Sequence, residues 1–295
     1  LVRVADSASF SAAARSLQLD PKTVSKQIAR LEHALGTPLF ERNTRNLRIT
    51  DEGRTVAARA RSVLSILDEI QQVGQGDDDT LRGVIRLTAP APFGRKHVAP
   101  AIAEFSRQHP QVGFDLRLTD RMVDLYDDGF DLAIRLGEPT DSRLLSTPLA
   151  LNRRMLVASP GYVAAHGTPH RPEDLSRHHA LLPAGPDGTQ NTWTMRQGRR
   201  ERTVEINGAL GSDSGEILHA WCLAGLGISL RETWDIHDAL RSGRLVPVLP
   251  DWTVPVTHIS AVRARRDPVP RRLDTFIEFL ARRWRDAPWN TDAAH

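Results

Sequence analysis

"SFSAAARSLQLDPKTVSKQIARLE", residues Ser9 to Glu32, reads as two helices joined by a tight turn. Ser9 is suited to cap a first helix from Phe10 to Leu17, whose alanines let another helix approach closely. Asp20 is suited to cap a second helix, with Pro21 at its first position, where a missing N–H group costs nothing. The stretch therefore predicts a compact helix pair near the start of the chain.

The two faces of the second helix differ in chemistry. Its apolar residues recur three or four positions apart and predict one buried stripe, made of Val24, Ile28, Leu31 and Leu35. The opposite face carries the residues that we take, with Ser9, as candidates for DNA contact: Lys22, Thr23, Ser25, Lys26 and Arg30. This arrangement is typical of a helix-turn-helix that enters a major groove, with Thr23 and Ser25 as the candidates for base edges. An ordinary amphipathic helix pair with a solvated face is the alternative.

A wing is predicted directly after the helix pair. The segment "GTPLFERNTRNLRITDEG", Gly36 to Gly53, gives a helix stop, an apolar Leu-Phe anchor, a basic tip and an alternating strand. Arg42 and Arg45 lie at this tip, and Arg48 lies in the strand. Their guanidinium groups are expected to reach phosphates beside the groove that the helix occupies.

The charge of the chain is concentrated in this region. The 295 residues have a formal net charge of only +3, whereas residues 1–50 hold eight Lys or Arg against four Asp or Glu. A basic surface must therefore come from clustering near the N-terminus. The one cysteine, Cys222, excludes an intramolecular disulfide, and the chain has neither a secretory signal pattern nor an apolar run long enough to span a membrane. These features predict a cytoplasmic protein without membrane contact.

Residues 51–76 predict a dimerising linker helix. Thr50 is suited to cap it, and an apolar seam steps along it at alternating intervals of four and three: Val56, Ala60, Val63, Leu67 and Ile70. Packing of this seam against the helix's own domain is the alternative to a dimer. The polar segment "GQGDDDT", residues 74–80, reads as a hinge that follows the helix.

Alternating strands and helices follow from residue 83 to residue 285. Strands are predicted at 83–89, 112–118 and 131–136, with a helix at 93–108. A second such unit begins near Met155, and the chain then returns through a strand at 256–262 and a helix at 271–284. This order predicts mostly parallel sheets in two α/β subdomains that the chain crosses twice, subdomain I at about 83–155 and 258–285 and subdomain II at about 156–257. A ligand is expected in the cleft between them.

Two turns supply the candidate effector-binding residues. "TAPAPFG" (88–94) and "GSDSGE" (211–216) each lead into a helix, whose N–H groups favour an anion. Arg135 follows a strand and could clamp a carboxylate, although a structural ion pair is the alternative. The predicted site comprises Ala91, Pro92, Phe93, Arg135, Gly137, Ser212, Asp213 and Ser214. Its ligand is expected to be an organic acid or an amino acid, with Phe93 as an apolar face, although the charge of Asp213 opposes an anion.

The candidate enzyme motifs in the sequence are incomplete. "GSDSG" has Asp213 where a nucleophile elbow needs serine, and "GLGISL" lacks the third glycine of a dinucleotide fingerprint. Gly167 and Pro169 break the helix that would aim His166 and His170 at one metal ion. We therefore predict no catalytic residue, no cofactor and no metal site. An α/β enzyme and a free-standing solute-binding protein remain as alternatives.

Several motifs together resemble one known family. "SFSAAARSL", "VSKQIARLE", "LGTPLFER" and "LRITDEG" look like the winged helix-turn-helix of LysR-type transcriptional regulators. "GVIRLTAPAPFG", "DLAIRLG", "VASPGYVAAHG" and "AGLGISL" look like their effector domain. The match runs from about residue 1 to about residue 280.

The resemblance implies a fold and a set of partners. The fold is α/β with an all-α winged helix-turn-helix domain at residues 1–50, followed by an effector domain of two periplasmic-binding-protein-like subdomains. The implied function is sequence-specific transcriptional regulation controlled by a small-molecule effector. The implied partners are double-stranded promoter DNA, the effector, RNA polymerase and further copies of the chain in a homodimer or homotetramer.

Two features depart from the family pattern. The recognition helix starts with Asp20-Pro21-Lys22 rather than with a glutamine-containing motif, so no base preference can be transferred. The chain also begins inside the family's first helix and without methionine, which predicts either a trimmed N-terminus or a start assigned too late.

Overall fold

The computed structural model describes residues 1–43, 46–73, 80–120, 123–125, 128–137, 141–185, 188–189, 191–265 and 269–289. A winged helix-turn-helix domain, a long helix and a two-part α/β domain follow one another along the chain. Within these ranges no helix is long and apolar enough to cross a membrane.

The N-terminal domain consists of three helices and a two-stranded wing. Its elements are α1 Val2–Ser7, α2 Phe10–Leu17, α3 Pro21–Leu35, β1 Phe40–Asn43 and β2 Asn46–Ile49. The predicted caps are confirmed, because Ser9 Oγ accepts from Ala12 N at 3.2 Å and Asp20 Oδ1 accepts from Lys22 N at 2.7 Å. The strands pair antiparallel, with Phe40 opposite Ile49.

The core of this domain follows the predicted stripe only in part. Val24 and Ile28 are buried and Leu31 is half-buried, but Leu35 is 47% exposed because it lies at the end of α3, immediately before the cap residue Gly36. Glu32 stabilises the start of the wing by accepting hydrogen bonds from the backbone N–H groups of two wing residues, at 2.8 and 3.1 Å.

A single long helix, α4 Asp51–Val73, leaves the wing. Its predicted cap is confirmed, because Thr50 Oγ1 accepts from Gly53 N at 2.9 Å. The first part of α4 packs against its own chain, since Ala57 and Ala58 are buried and Val56 contacts the winged-helix core. Val56 therefore belongs to a domain core, which the heptad pattern alone did not indicate.

The described part of subdomain I contains a five-stranded sheet, three α-helices and one π-helical segment. Its elements are β3 Gly83–Ala89, α5 Ala91–Phe93, α6 Ala99–Gln108, β4 Val112–Leu118, β5 Leu132–Leu136, β6 Leu144–Asn152, β15 Thr257–Ala264 and α10 Arg271–Arg285. A π-helical segment, Gly94–Val98, joins α5 to α6, so the chain is helical from Ala91 to Gln108.

Subdomain II contains a six-stranded sheet and a separate hairpin. Its elements are β7 Arg154–Ala158, α7 Pro160–His166, a 3-10 helix at Pro172–Arg177, β8 His179–Gly185, β9 Gly188–Thr189, β10 Thr192–Gln197, β11 Arg200–Glu205, β12 Asn207–Ser212, α8 Gly215–Leu223, β13 Ile228–Glu232, α9 Thr233–Arg241 and β14 Val246–Val248. The hairpin is formed by β10 and β11. β7 starts two residues before the boundary expected from the sequence.

Both large sheets are mixed, whereas the sequence pattern predicted mostly parallel ones. In the order β4-β3-β5-β15-β6, the pairs around β3 are parallel and both pairs of β15 are antiparallel. In the order β12-β8-β13-β7-β14, the pairs of β8 with β12 and β13 are parallel and the pairs of β7 are antiparallel. Within these two orders the antiparallel pairs involve β15, which returns from subdomain II, and β7, which enters it; β9 also pairs antiparallel with β8.

Trp234 joins the two subdomains. It lies in the first turn of α9 in subdomain II but is buried in the core of subdomain I. Its ring centroid lies 5.1 Å from that of Phe93 and 5.8 Å from that of His97. Its Nε1 donates to Asn152 Oδ1 at 3.1 Å, and Asn152 Nδ2 donates to Thr257 Oγ1 at 3.0 Å. The two crossing segments of the chain are thereby tied to one indole ring.

His97 makes this junction sensitive to pH. Burial lowers its pKa from 6.5 to about 4, so the ring is neutral in the folded protein at pH 7. The unfolded chain binds the proton more tightly, so stability is lost as pH falls from 6.5 towards 4. We expect the free energy of unfolding to fall by about 1 kcal/mol between pH 7 and pH 5 because of this residue, after allowance for its partial exposure.

Urea unfolding of the protein at pH 7 and pH 5 measures the effect. His97→Gln should reduce the difference between the two pH values, whatever it does to stability at pH 7. His33→Gln, at an exposed position of α3, should leave the difference unchanged. A pH difference that persists in full in His97→Gln would contradict the assignment.

Asp6 connects the N-terminal domain with subdomain I. Asp6 on α1 accepts from Arg61 Nη2 on α4 at 2.5 Å and from Arg86 Nη2 on β3 at 3.1 Å. These side chains are only 20–28% exposed. Gly129 lies against the Arg61 side chain, where an added Cβ would come within 3.2 Å of Nη1. The DNA-binding domain, the linker helix and the effector domain therefore meet at Asp6.

Candidate functional site

The N-terminal end of α3 presents the predicted cationic face to solvent. Lys22, Thr23, Lys26 and Arg30 are exposed, and Ser25 is half-buried. Asp20 uses a carboxylate oxygen to cap the helix, which fixes the direction in which α3 projects. The geometry suits insertion of the helix start into a major groove.

The remaining predicted DNA contacts fall on α2 and the wing. The Ser9 hydroxyl caps α2, and its contact with DNA stays a prediction. Arg48 on β2 is exposed. Arg45 and the side chain of Arg42 lie outside the described part of the chain, so the phosphate contacts of the wing tip also remain predictions.

The second half of α4 exposes an apolar surface. Val63, Leu64, Ile66 and Leu67 are 48–56% exposed, and Ala60 is half-buried beside them. We call these five residues the linker stripe. The side chain of Ile70, the last predicted seam residue, is not described. Adjacent exposed aliphatic side chains on one helix face are typical of a surface that another chain covers.

A cavity of about 230 Å³ lies in the cleft between the subdomains. Subdomain I contributes Pro90, Pro92, Asp120 and Leu136 to its walls. Subdomain II contributes its remaining walls: Arg154, Pro183, Ala184, Trp193, Ser212, Asp213, Gly215, Leu218, Leu230, Arg231, Glu232 and Trp234. The walls of this cavity therefore come from both subdomains.

The N-terminus of α8 and Arg231 form the cationic part of the cavity. Ser214, the N-cap residue, makes no side-chain cap hydrogen bond, while Ser212 Oγ accepts from Ser214 N at 3.1 Å. The Arg231 guanidinium packs against Gly215, where an added Cβ would lie 3.2 Å from Nη2. Positive helix end and guanidinium therefore lie together.

Asp235 and His219 hold Arg231 in place. Asp235 Oδ2 accepts from Arg231 Nη2 at 2.6 Å and lies 2.8 Å from His219 Nδ1. Burial alone would raise the pKa of Asp235, but the hydrogen bond from His219 and the charge of Arg231 outweigh it and hold the pKa at about 2. The carboxylate stays ionised and fixes the orientation of the guanidinium.

The other predicted helix N-terminus is already occupied. Ala91 N donates to Asp120 Oδ1 at 3.0 Å, so a carboxylate of the protein takes the place that the sequence pattern assigned to an anionic ligand. The expectation of two free helix ends converging on one anion therefore needs correction. Subdomain I offers the ligand an acidic group at this point.

Three predicted residues line the cavity and the others do not. Pro92, Ser212 and Asp213 are wall residues. Phe93 is fully buried among Trp234, Trp284 and His97, so it belongs to the core of subdomain I and gives no apolar face to a ligand. Neighbours of the wall residues, but not wall residues themselves, are Ala91, Gly137 and Ser214.

Arg135 also lies away from the cavity. It pairs across the sheet with Ser260 on β15, whereas its neighbour Leu136 is the wall residue. Burial lowers the pKa of Arg135, and Nη2 has no hydrogen-bond partner within the described residues. Neither a carboxylate clamp in the cavity nor an ion pair with a described residue accounts for it.

Asp120, Arg154 and Arg231 are cavity residues that the sequence did not identify. Arg154 is the first residue of β7 and Arg231 is the last but one of β13, and the antiparallel pairing of these strands brings both to the same end of the sheet. A position at the end of a strand was the only available signal, and it also applied to Arg135. Strand pairing, which the sequence does not state, decides between them.

A second cavity, of about 630 Å³, lies elsewhere in subdomain II. It is bordered by the β10–β11 hairpin and the loop from Leu249 to Trp252. All its walls belong to one subdomain, so an occupant would not bridge the cleft. The thiol of Cys222 is buried, and burial raises its pKa to about 12, so the thiol stays protonated and is a poor nucleophile.

Comparison with known proteins covers both parts of the chain. Residues 1–54 match the family described as "Bacterial regulatory helix-turn-helix protein, lysR family", and residues 78–285 match "LysR substrate binding domain". The chain belongs to the LysR family. The sequence-based recognition of the family and of its two-part fold is confirmed.

The relatives carry the names of transcriptional regulators. The chain is 37% identical to "HTH-type transcriptional regulator DmlR" of Escherichia coli strain K12, over 94% of this chain and 90% of that protein. It is 36% identical to "HTH-type transcriptional activator TtdR" of the same strain, with 95% and 90% covered. The solved structure of the LysR-type regulator CrgA from Neisseria meningitidis superposes with a TM-score of 0.63 at 31% identity, with 96% of each chain covered.

The family assignment fixes the class of function. The chain is a LysR-type transcriptional regulator with a helix-turn-helix DNA-binding domain and an effector-binding domain, and it is not an enzyme. The geometry agrees with this assignment, because an exposed cationic helix start and a two-sided cavity occur in one chain.

Proposed function

We propose that a small molecule bound in the cleft of subdomains I and II controls how a pair of these chains sits on promoter DNA. The observation that carries the proposal is the cavity of about 230 Å³ whose walls come from both subdomains. A ligand shifts a conformational equilibrium only by its different affinity for the two states. Contact with both walls gives a closed state more interactions than an open one.

The contact at Asp6 supports communication between the cleft and the DNA. Arg86, which holds Asp6, lies on β3, and the same strand runs on to Ala89, next to the wall residue Pro90. Arg61, the other partner of Asp6, lies on α4 close to the linker stripe. A change in the position of subdomain I therefore has a direct route to both the recognition domain and the linker helix.

The linker stripe supports a homodimer built on α4. Two paired linker helices would hold two α3 helices at successive half-sites of a pseudo-palindromic operator. The proposal includes a cytoplasmic location, assembly of dimers into a homotetramer through effector-domain contacts, and contact with RNA polymerase at the promoter. These finer statements rest on the family assignment.

The experiment is footprinting of the full-length protein on the promoter region beside its own gene. We expect protection of a pseudo-palindromic site, and a changed protection pattern when the protein's effector is added from a panel of organic acids and amino acids. Arg154→Ala, a change in the cavity wall, should abolish the response to the effector and preserve protection without it. Protection that no effector alters, from protein shown by calorimetry to bind that effector, would refute the proposal.

A further inference from the structure

We infer that the cleft binds a zwitterionic ligand, an α-amino acid with an apolar side chain, with its carboxylate on subdomain II and its ammonium group on subdomain I. The inference rests on the proposed function of the cleft as the effector site. It is carried by how the charged groups are divided between the two walls of the cavity.

Subdomain II provides the anion-binding part. The helix α8 is nine residues long, and its first turn has no side-chain cap. The Arg231 guanidinium packs against this turn at Gly215. The Arg231 side chain is only 5% exposed, and its Nε atom has no partner within the described residues. A buried unpaired donor in a native protein calls for an acceptor that the protein itself does not supply. A ligand carboxylate at this point provides that acceptor.

Subdomain I provides the opposite charge. Among the described residues of subdomain I, Asp120 is the only charged one in the cavity wall, and one of its oxygens accepts from Ala91 N. A ligand that closes the cleft must therefore offer subdomain I a donor, and an ammonium group is the donor that also neutralises a carboxylate. A carboxylic acid without an amino group would offer the Asp120 carboxylate no positive charge.

The total charge of the walls leads to the same conclusion. Among the described wall residues, carboxylates are supplied by Asp120, Asp213 and Glu232 and guanidinium groups by Arg154 and Arg231, which makes three against two. Asp235, behind the wall, already neutralises one of these guanidinium groups. A dianionic ligand would add negative charge to an acidic cavity, whereas a zwitterion adds none.

The rest of the cavity favours an apolar side chain of modest size. Leu136, Leu218, Leu230 and Trp193 supply apolar walls. Pockets for drug-sized ligands measure about 300–1,000 Å³. A volume of about 230 Å³ is therefore suited to a single amino acid.

Isothermal titration calorimetry of the full-length protein tests the inference. The probes are the twenty L-amino acids, the hydroxy acids in which a hydroxyl replaces the amino group of alanine, valine, leucine and phenylalanine, and succinate as a dianion. We expect at least one apolar amino acid to bind, and its hydroxy acid to bind at least tenfold more weakly. Binding by none of the twenty, or equal binding of the matched pair, would overturn the inference.

Asp120→Asn identifies the ammonium contact. Its amide oxygen can still accept from Ala91 N, so the start of α5 stays capped. We expect the variant to bind the amino acid at least tenfold more weakly and to show no weaker binding of the hydroxy acid. Asp251→Asn, at an exposed position beside the other cavity, is the matched control and should bind both as the wild type does. Unchanged amino-acid binding by Asp120→Asn would overturn the inference.

Footprinting with the same probes separates the two proposals. If succinate or a hydroxy acid binds in preference to amino acids and alters promoter protection, the ligand class is wrong and the proposed function stands. If an amino acid binds in the Asp120-dependent way but leaves protection unchanged, the ligand class stands and the proposed function is wrong.

Discussion

Leu67→Asp is expected to separate the protein into monomers and to abolish tight binding to a two-half-site operator. Leu67 is 48% exposed on the second half of α4, so the change leaves the fold of the single chain intact. In a paired linker helix the new carboxylate would be buried without a partner, which costs about 3–5 kcal/mol. The dimer dissociation constant should then rise roughly a hundredfold to several thousandfold. Sedimentation velocity over a range of protein concentrations measures it.

Val256→Asp is the matched control for this change. Val256 is an aliphatic residue of similar exposure, 52%, in the effector domain and far along the chain from α4. It should sediment and bind DNA as the wild type does. An intact linker dimer in Leu67→Asp would refute the pairing of α4. Effector-domain contacts could still hold Leu67→Asp in tetramers. Footprinting on the two-half-site operator distinguishes this case, because only a paired linker helix places two α3 helices on both half-sites.

The stripe on α4 also shows how far a heptad pattern can be taken. The alternating four-and-three spacing predicted a seam from Val56 to Ile70, and the apolar exposure of Val63 and Leu67 fits it. Val56 differs because it packs against the core of the winged-helix domain. A repeat in the sequence states which residues share a helix face, but not which neighbour covers each part of that face.

Local chemistry made the DNA-binding domain predictable. The caps by Ser9, Asp20 and Thr50 are each satisfied within three residues of the side chain involved, so the sequence alone contains all the partners. The effector cleft depends on partners far apart in the chain. Ala91 and Asp120 are 29 residues apart, and their hydrogen bond reverses the electrostatic role of that helix end.

Helix phase explains why Phe93 was misplaced. The turn before α5 was expected to present Phe93 to the cleft together with Pro92. The helix that continues through the π-helical segment turns Phe93 inwards, onto Trp234 and Trp284, and leaves Pro92 at the wall. Trp234 arrives from the other subdomain, so no pattern near Phe93 could indicate that it has a core to join.

Replacing both Lys22 and Lys26 by alanine is expected to give the largest loss of DNA affinity from the recognition helix. Both side chains are exposed at the start of α3, so the variant should fold and dimerise normally. Each lysine that contacts a phosphate contributes about 0.9 to the slope of log affinity against log salt concentration. The variant should therefore bind promoter DNA at least tenfold more weakly and lose about two units of that slope per protomer. Gel retardation at several salt concentrations measures both quantities.

A control with the same change in charge distinguishes contact from net charge. Arg199→Ala/Arg200→Ala removes two exposed cations from the β10–β11 hairpin of subdomain II and should leave the salt slope unchanged. Thr23→Ala tests base reading separately, because loss of a base-edge contact lowers the preference for operator over unrelated DNA while the salt slope stays the same. Retardation of the Lys22/Lys26 variant equal to that of the wild type at every salt concentration would mean that α3 does not lie in the groove, since two exposed cations at the tip of an inserted helix cannot both be remote from the phosphates that border it.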